Sequence, residues 1–333
     1  MARNSYGEKS GWRAANALSC PSVEEIQRLL SPWLASRRII GIDRLQGGLM
    51  NRNCRLHLDA SPKTAVLRIY DREASACAKE IKVLQRVAPD VPVPAVFYSE
   101  ADPAGHIPPF AVLEFVEGVT LKDLNQTNDA DGIAEAAYSA GRLLAQLGRH
   151  RFPASGLLTP QLTVDSSFLD GSVTTSGLIE LFARSPFFQR RVDPTLQERL
   201  MRAAHTWDEC APTGDEEARL VHGDFNRRNL IVKRGVKGWT IAAILDWEFA
   251  FAGPVSCDIG NFLRYEVPAQ PRFEPFFSRG CRDGGLELPD GWLAAARMAD
   301  LPALCDLLSR DALPEDVVAE LLGLVTATAD MVA

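Results

Sequence analysis

The sequence contains no long hydrophobic run, no block of basic residues and no closely spaced pair of cysteines. Because about 18 or more consecutive apolar residues are needed to cross a membrane, no transmembrane helix is predicted. The polar start of the chain predicts no secretory leader. The seven cysteines include no CxxC motif, so neither a zinc site nor a disulfide framework is indicated, and we expect free thiols. Together these absences predict a cytoplasmic protein with no membrane partner.

The charge balance argues against nucleic acid as a partner. The chain has 36 Lys and Arg against 43 Asp and Glu, a formal net charge of -7. A protein that neutralises many phosphates has the opposite balance on at least one surface. Basic runs are no longer than pairs such as Arg190-Arg191 and Arg227-Arg228, which are too short for such a surface. We expect no nucleic-acid partner, and a monomer or a weak dimer.

Length and patterning predict an α+β protein with two lobes. At roughly 150 residues per domain, 333 residues are enough for two domains or one large two-lobed domain. Strand-like patterns dominate up to Val116, and Ala/Leu-rich helical patterns dominate after Gly118. The predicted organisation is a flexible tail (1–20), an N-terminal nucleotide-binding lobe (21–117) and a C-terminal catalytic and substrate-binding lobe (118–333).

The individual elements follow from periodicity and from their end signals. The capping box Ser22 and Glu25 predicts the start of the first helix. The remaining predicted elements are strands within 39–58, a strand at 63–70, a helix at 73–87, a strand at 110–116, a helix at 132–147, helices within 178–207 broken at Pro186 and Pro194, and strands at 230–233 and 240–245.

Three polar residues next to apolar strands carry the strongest chemical signal. One apolar strand leads into His222-Gly-Asp224-Phe-Asn-Arg-Arg-Asn229, and a second leaves it. Asp246 follows a further apolar strand, 17 residues after Asn229. Phosphoryl transfer needs one carboxylate to orient a nucleophilic hydroxyl, and an Asn and an Asp to hold Mg²⁺ on the phosphates. The alternative is that all three are ordinary turn residues.

The motif His-Gly-Asp-x-x-x-x-Asn, followed by an Asp after an apolar strand, resembles the aminoglycoside phosphotransferase family, relatives of choline kinases and eukaryotic-like protein kinases. Residues 46–51 resemble the family's nucleotide-covering turn, and 110–118 resemble the strand and hinge that hold adenine. The resemblance covers about residues 40–265. It implies a protein-kinase-like bilobal fold with a smaller strand-rich N-terminal lobe and a larger helical C-terminal lobe.

The resemblance also implies roles for individual residues, with Mg²⁺ and ATP or GTP as cofactor and phosphate donor. Asp224 resembles the catalytic base, and Asn229 and Asp246 resemble the Mg²⁺ ligands. The residues that the resemblance places around the nucleotide are Gly47, Gly48, Asn51, Arg68 with its partner Glu80, and the main chain of Glu114 and Val116. Structural support of the catalytic loop falls to His222 and Asp258.

Several of these positions have simpler interpretations. The protein-kinase signature GxGxxG is missing, and Gly47-Gly48 also fits a plain hairpin turn. Arg68 stands where protein kinases have Lys, although Arg can fork across two phosphate oxygens. A solvated strand and helix face would also explain Arg68 and Glu80. Asp258 also fits an ordinary helix N-cap.

The expected function is transfer of the γ-phosphate of ATP or GTP to a hydroxyl of a small molecule, with aminoglycosides and other antibiotics among the candidates. A metabolic kinase for an amino alcohol or a sugar is the alternative within the class. A non-catalytic nucleotide-binding module of the same fold is a second alternative. A metal hydrolase built on His222 and Asp224 is a third, and it lacks a second His or carboxylate cluster nearby.

The acceptor is left open by the sequence. Residues 271–333 hold eleven acidic and five basic residues, which would favour a polycationic acceptor. A solvated helical surface explains the same count. Aromatic residues could equally line a pocket for a more apolar alcohol: Phe182, Phe187, Phe188, Phe276, Phe277 and Trp292.

Overall fold

The computed structural model describes residues 20–45, 51–71, 74–103, 107–165, 174–210, 218–267, 269–311 and 313–332. Its N-terminal part is a five-stranded antiparallel sheet in the order β1-β2-β3-β5-β4. The elements of this part are α1 (Val23–Leu29), α2 (Ser31–Leu34), β1 (Ile39–Arg44), β2 (Arg52–Leu58), β3 (Thr64–Ile69), α3 (Ala74–Val87), β4 (Val96–Glu100) and β5 (Phe110–Glu114).

The alternation of β3 decides what lies on each face of this sheet. Leu67 and Ile69 point to one face, where they share a core with α1 and α2. Arg68 and Tyr70 point to the other face, where both contact Glu80 of α3. One face of the sheet is therefore covered by its own apolar core. The other face combines the polar contacts of Arg68 with apolar residues, such as Ala111 and Leu113, that belong to the core shared with the C-terminal part.

The C-terminal part is mostly helical. Its strands form one sheet in the order β11-β10-β6 and another in the order β8-β7-β12-β9. Its helices are α4 (Leu121–Asn125), α5 (Ala130–Leu147), α6 (Thr175–Ala183), α7 (Pro186–Arg191), α8 (Pro194–Cys210), α9 (Ser256–Leu263), α10 (Glu274–Asp283), α11 (Trp292–Ser309) and α12 (Glu315–Val332). Its strands are β6 (Val119–Thr120), β7 (Gly156–Leu158), β8 (Val164–Asp165), β9 (Arg219–Val221), β10 (Leu230–Gly235), β11 (Gly238–Ile244) and β12 (Phe251–Gly253).

The predicted α+β architecture with a strand-rich N-terminal part and a helical C-terminal part is confirmed. The expected breaks at Pro186 and Pro194 are the first residues of α7 and α8, where proline is favoured because the N–H it lacks would have no helical partner. Four strands of two or three residues, β6, β7, β8 and β12, were not expected because they are too short to show a period. Within the described residues no helix combines the length and hydropathy needed to cross a membrane.

The expectation of free cysteines is wrong for one pair. Cys20 and Cys54 form a disulfide across 34 residues of sequence. Cys54 lies fully buried on β2, and the segment that leads into α1 brings Cys20 onto it. The sequence spacing of Cys20 and Cys54 did not indicate this disulfide, because the pairing depends on how α1 packs against the sheet. Cys77, Cys210, Cys257, Cys281 and Cys305 are not in a disulfide, as expected.

Candidate active site

The loop between β9 and β10 presents Asp224 with both carboxylate oxygens held. Asn226 Nδ2 donates to Oδ1 at 2.6 Å, and Asn229 Nδ2 donates to Oδ2 at 2.7 Å. Asn229 Nδ2 also donates to the main-chain carbonyl of Asp224 at 2.9 Å. Burial, with a contribution from the charge of Asp246, raises the pKa of Asp224 to about 6. A carboxylate so placed is suited to accept a proton near neutral pH.

His222 is enclosed and fully engaged. Its Nδ1 accepts the main-chain N–H of Asp224 at 3.1 Å, and its Nε2 lies 2.9 Å from the carbonyl of Leu245. An acceptor at Nδ1 and a donor at Nε2 define the neutral tautomer, in keeping with burial that lowers the pKa of His222 to about 4. The ring packs 4.5 Å from that of Trp247, centroid to centroid. His222 thus ties the catalytic loop to the segment before Asp246.

Asp258, in the first turn of α9, holds the start of the same loop. Its Oδ2 accepts the main-chain N–H of His222 at 2.7 Å, and its Oδ1 accepts that of Gly223 at 3.0 Å. Gly223 has a φ of +79°, and a Cβ there would lie 2.5 Å from the carbonyl of Phe249. The loop therefore needs glycine at this position as well as the buried carboxylate. Burial raises the pKa of Asp258 to about 7.

The two expected metal ligands lie at the same end of neighbouring strands. Asn229 precedes β10 and Asp246 follows β11, and the N–H of Leu245 donates to the carbonyl of Asn229 at 2.8 Å. Because Asn229 Nδ2 donates to Asp224 in both contacts, the Oδ1 of Asn229 is turned away from that residue. Asp246 adopts a left-handed conformation with φ of 68°, which Asp tolerates better than most residues.

The side chains at the two strand ends, an amide at Asn229 and a carboxylate at Asp246, have the chemistry of a divalent-cation site. Three carboxylates lie within ion-pair distance of the single guanidinium of Arg68: Glu80 at 3.0 Å, Asp246, and Glu248 at 3.7 Å. Burial and the nearby Asp246 charge raise the pKa of Glu248 to about 7. Carboxylate and amide oxygens are the ligands Mg²⁺ prefers, and it needs few of them because it keeps waters and phosphates as its other ligands. Asn229 and Asp246 would hold it.

Arg68 and Glu80 form a buried pair rather than a solvated surface. Arg68 is 6% exposed and Glu80 is 1% exposed. Tyr70 donates its hydroxyl to Glu80 at 2.7 Å, and the main-chain N–H of Trp247 donates to Glu80 at 3.2 Å. Burial opposes the charge on Arg68, yet Asp246 and Glu80 raise the pKa of Arg68 well above its ordinary value. The pair links the sheet and α3 to the segment that carries Asp246.

The expected nucleotide turn is only partly visible. Asn51 donates to Glu248 at 2.6 Å, so the last residue of the turn contacts the Asp246 segment directly. Gly47 and Gly48 lie outside the described residues. At the other end of the cleft the N–H of Glu114 donates to the carbonyl of Ala95 at 2.8 Å. Val116 follows β5 by two residues, and its expected role at the hinge stays a prediction.

The sequence interpretation missed four residues that surround the predicted ones. Asn226 holds Asp224, and Tyr70 completes the Arg68–Glu80 pair. Arg264 and Asp300 form a bidentate ion pair at 2.8 and 2.6 Å beneath the catalytic loop, and the charge of Arg264 opposes the rise in the pKa of Asp224. Asn226 could have been found from the sequence, because it is an amide side chain two residues after Asp224. The other three depend on contacts distant in sequence.

Several carboxylates of the C-terminal part already have partners within the protein. Asp300 is paired with Arg264, and Glu266 accepts the main-chain N–H groups of residues 272–274 at 2.6, 2.9 and 3.2 Å. Further acids of the C-terminal segment are bound elsewhere on the surface, such as Asp283 to the hydroxyl of Tyr138. The acidic surplus of residues 271–333 is therefore in part an internal and surface feature rather than a free acidic pocket.

A kinase-like two-part fold, with a carboxylate, an amide and a second carboxylate at strand ends, is the arrangement expected of a phosphotransferase. The model of the phosphotransferase enzyme family (APH) matches residues 41–297. The chain belongs to this family.

Solved structures share the fold. The crystal structure of aminoglycoside phosphotransferase APH(4)-Ia superposes with a TM-score of 0.67 at 20% identity, covering 94% of this chain and 100% of that one. A structure of the GDP and kanamycin complex of APH(2")-IIia gives a TM-score of 0.66 at 15% identity, over 92% of this chain and 99% of that one. At these identities the likeness concerns the fold.

Among curated proteins, a probable acyl-CoA dehydrogenase, IBR3 of Arabidopsis thaliana, is 25% identical over 244 residues. The match covers 66% of this chain and 27% of the plant protein. Acyl-CoA dehydrogenase family member 11 of Homo sapiens is 26% identical over 209 residues, which cover 62% of this chain and 25% of the human protein. The chain spans about a quarter of the length of the curated relatives it matches.

Proposed function

We propose that this protein transfers the γ-phosphate of ATP or GTP to a hydroxyl group of a small molecule in an Mg²⁺-dependent reaction. The proposal is carried by two groups of contacts at the junction of the two parts. Asn229 is hydrogen-bonded to Asp224, and Arg68 forms ion pairs with both Asp246 and Glu80. Structural support from His222 and Asp258 keeps the loop in place. In the proposed nucleotide site Arg68 faces the phosphates, and the main chain of Glu114 and Val116 faces the adenine or guanine edge.

Asp224 is the base in this proposal. The acceptor oxygen forms a bond to the γ-phosphorus, the bond from that phosphorus to the bridging oxygen breaks, and the nucleoside diphosphate leaves. Asp224 takes the proton of the acceptor hydroxyl. Asn229 and Asp246 would hold Mg²⁺, which when bound neutralises charge on the phosphates. Arg68 supplies a fixed positive charge, and its fork can span two phosphate oxygens.

The alternatives fare less well against the geometry. A metal hydrolase on His222 would need a ring nitrogen for the metal, but both nitrogens are engaged. Within the described residues no group of three or more His, Cys, Asp or Glu side chains is arranged to hold a metal. A non-catalytic nucleotide-binding module would not need Asp224 to have both oxygens positioned, so the ordered base favours turnover.

Two acceptor classes are proposed for the hydroxyl substrate. Aminoglycosides are favoured because the solved structures of the same fold are named as aminoglycoside phosphotransferases. Hydroxylated acyl thioesters form the second class, because the curated relatives are named acyl-CoA dehydrogenases. Amino alcohols and sugars complete the panel.

The test is phosphate transfer from Mg²⁺-ATP and Mg²⁺-GTP to this panel, with mass spectrometry to detect an acceptor heavier by one phosphoryl group. We expect one class to be phosphorylated and the product to disappear when Mg²⁺ is chelated. The variant Asp290→Asn, at an exposed acid, is the control and should keep the activity. If nucleotide stabilises the protein against heat but no acceptor gains phosphate, the non-catalytic module becomes the better account.

A further inference from the structure

Asn226 makes a contact that the roles above do not explain. Its Oδ1 accepts the main-chain N–H of Arg228 at 2.9 Å, which is an ordinary Asx turn. That bond also fixes which way the amide faces, because the oxygen is turned to Arg228 and the nitrogen must point the other way. The nitrogen lies 2.6 Å from Asp224 Oδ1. A turn does not require this second bond.

Two amides consequently clamp the carboxylate of Asp224 from both edges. Asn226 occupies Oδ1 and Asn229 occupies Oδ2. The terminal torsion of an Asp side chain is broad and roughly two-fold, so a free carboxylate rotates readily. A donor on each oxygen removes that freedom. Each ionised oxygen keeps a further lone pair, which is available to a hydroxyl on the open side of the loop.

We propose that Asn226 is a positioning residue that fixes the rotation of the Asp224 carboxylate toward the acceptor hydroxyl. The kinetic part of this inference rests on the proposed phosphotransferase function. Asn226 differs from Asn229, because its oxygen is bound to the main chain of Arg228 and its nitrogen to Asp224. Neither atom is left to ligate a metal. Loss of Asn226 should therefore impair turnover without weakening the binding of Mg²⁺-nucleotide.

Two substitutions separate the turn from the clamp. Asn226→Asp keeps an oxygen for the N–H of Arg228 but replaces the donor to Asp224 with another acceptor. Asn226→Ser keeps a turn-forming oxygen on a side chain that is too short to reach the carboxylate of Asp224. We expect kcat to fall about 10- to 100-fold in both, because small misplacements of a reacting group have effects of this size. The nucleotide KM should stay within about twofold of wild type. If both variants keep wild-type kcat, Asn226 is only a turn residue and the proposal is overturned.

A second measurement does not depend on turnover. Urea unfolding midpoints are compared for wild type, Asp224→Ala, Asn226→Ala and the double variant. Because both substitutions remove the same hydrogen bond, the shift in the double variant should be smaller than the sum of the single shifts. Asn226→Ala combined with Asp290→Asn is the control pair and should be additive. Additive midpoint shifts for the Asp224 and Asn226 substitutions would overturn the clamp. If the shifts are coupled but no acceptor gains phosphate, the proposed function is rejected while the contact between Asn226 and Asp224 stands.

Discussion

The carboxylate of Asp258 accepts the main-chain N–H of His222 at 2.7 Å. Asp258 is fully buried in the first turn of α9, so a helix of the C-terminal part fixes the loop that carries the proposed base, Asp224, two residues after His222. The ring of His222 extends this network, because it accepts the main-chain N–H of Asp224 and donates to the carbonyl of Leu245. The base and the segment before Asp246 are thus positioned by one buried network.

Asp258→Asn should lower the free energy of unfolding by about 1–3 kcal/mol, because the new amide nitrogen would face one of the two N–H donors. The effect should depend on pH. Burial raises the pKa of Asp258 from 3.8 to about 7, so the folded protein binds this proton more tightly than the unfolded chain. The stability that Asp258 contributes is fully present below about pH 4 and is lost as the pH rises to about 7.

Urea unfolding of wild type and Asp258→Asn between pH 4 and 8 measures this dependence. The stability difference between the two proteins should be largest at the acid end of that range and shrink as the pH rises. A difference that grows from pH 4 to pH 7 would contradict the placement of an ionisable, buried carboxyl group here.

Arg68→Lys should raise the nucleotide KM by about tenfold or more, because one ammonium cannot reproduce a fork that spans Glu80 and Asp246. Arg68→Ala should in addition lower stability by about 3–5 kcal/mol, since it leaves Glu80 buried without its cation. Nucleotide KM and urea unfolding measure the two effects. Arg44→Ala, at an exposed arginine of β1, is the control. Equal nucleotide KM values for wild type and Arg68→Lys would contradict a role for the fork.

Cys20→Ser should lower the free energy of unfolding by about 3–4 kcal/mol under oxidising conditions, the loop-closure effect for a loop of 34 residues. Under reducing conditions wild type and variant should converge. Cys210→Ser, at an exposed free thiol, should have little effect in either condition. Mass spectrometry after alkylation checks the pairing, and alkylation of Cys20 in the unreduced folded protein would contradict it.

Gly141→Ala should destabilise the protein by about 1–3 kcal/mol or more through overpacking. Gly141 lies on α5 where it meets α10, and an added Cβ would lie 2.1 Å from the carbonyl of Phe277. Gly323→Ala on α12 is the matched control, because nothing lies within 4 Å of its added Cβ. That substitution should be neutral or stabilise by up to about 1 kcal/mol. Thermal unfolding of both variants separates the two outcomes, and similar shifts would contradict the close approach.

The parts of the site that sequence reasoning could reach are those that lie close together in the chain. The octet that ends in Asn229 carries its own geometry, because the spacing of five brings an Asn amide back to Asp224 within one loop. Asp246 was also accessible, since strands β10 and β11 form a hairpin that returns it to Asn229. The nucleotide residues Arg68 and Glu80 were reached only through the family resemblance.

Contacts between distant segments were beyond the sequence. Nothing in the pattern pairs Arg264 with Asp300 across α9 and α11, or Cys20 with Cys54. These residues meet only when the elements that carry them pack against each other. The sequence pattern of those elements would allow many other pairs of partners. The acidic composition of residues 271–333 left the acceptor open, because composition does not say that Asp300 is already paired inside the protein.

The most direct test of the central claim is the kcat of Asp224→Asn for the phosphorylated acceptor, measured together with its affinity for Mg²⁺-nucleotide. The amide keeps the size of the carboxylate and cannot accept a proton. We predict that kcat falls by a factor of about 10² to 10⁴, the usual contribution of a general base. Nucleotide affinity should stay within about threefold, because Asn229 and Asp246 are untouched. A variant that transfers phosphate at the wild-type rate would show that Asp224 is not the base.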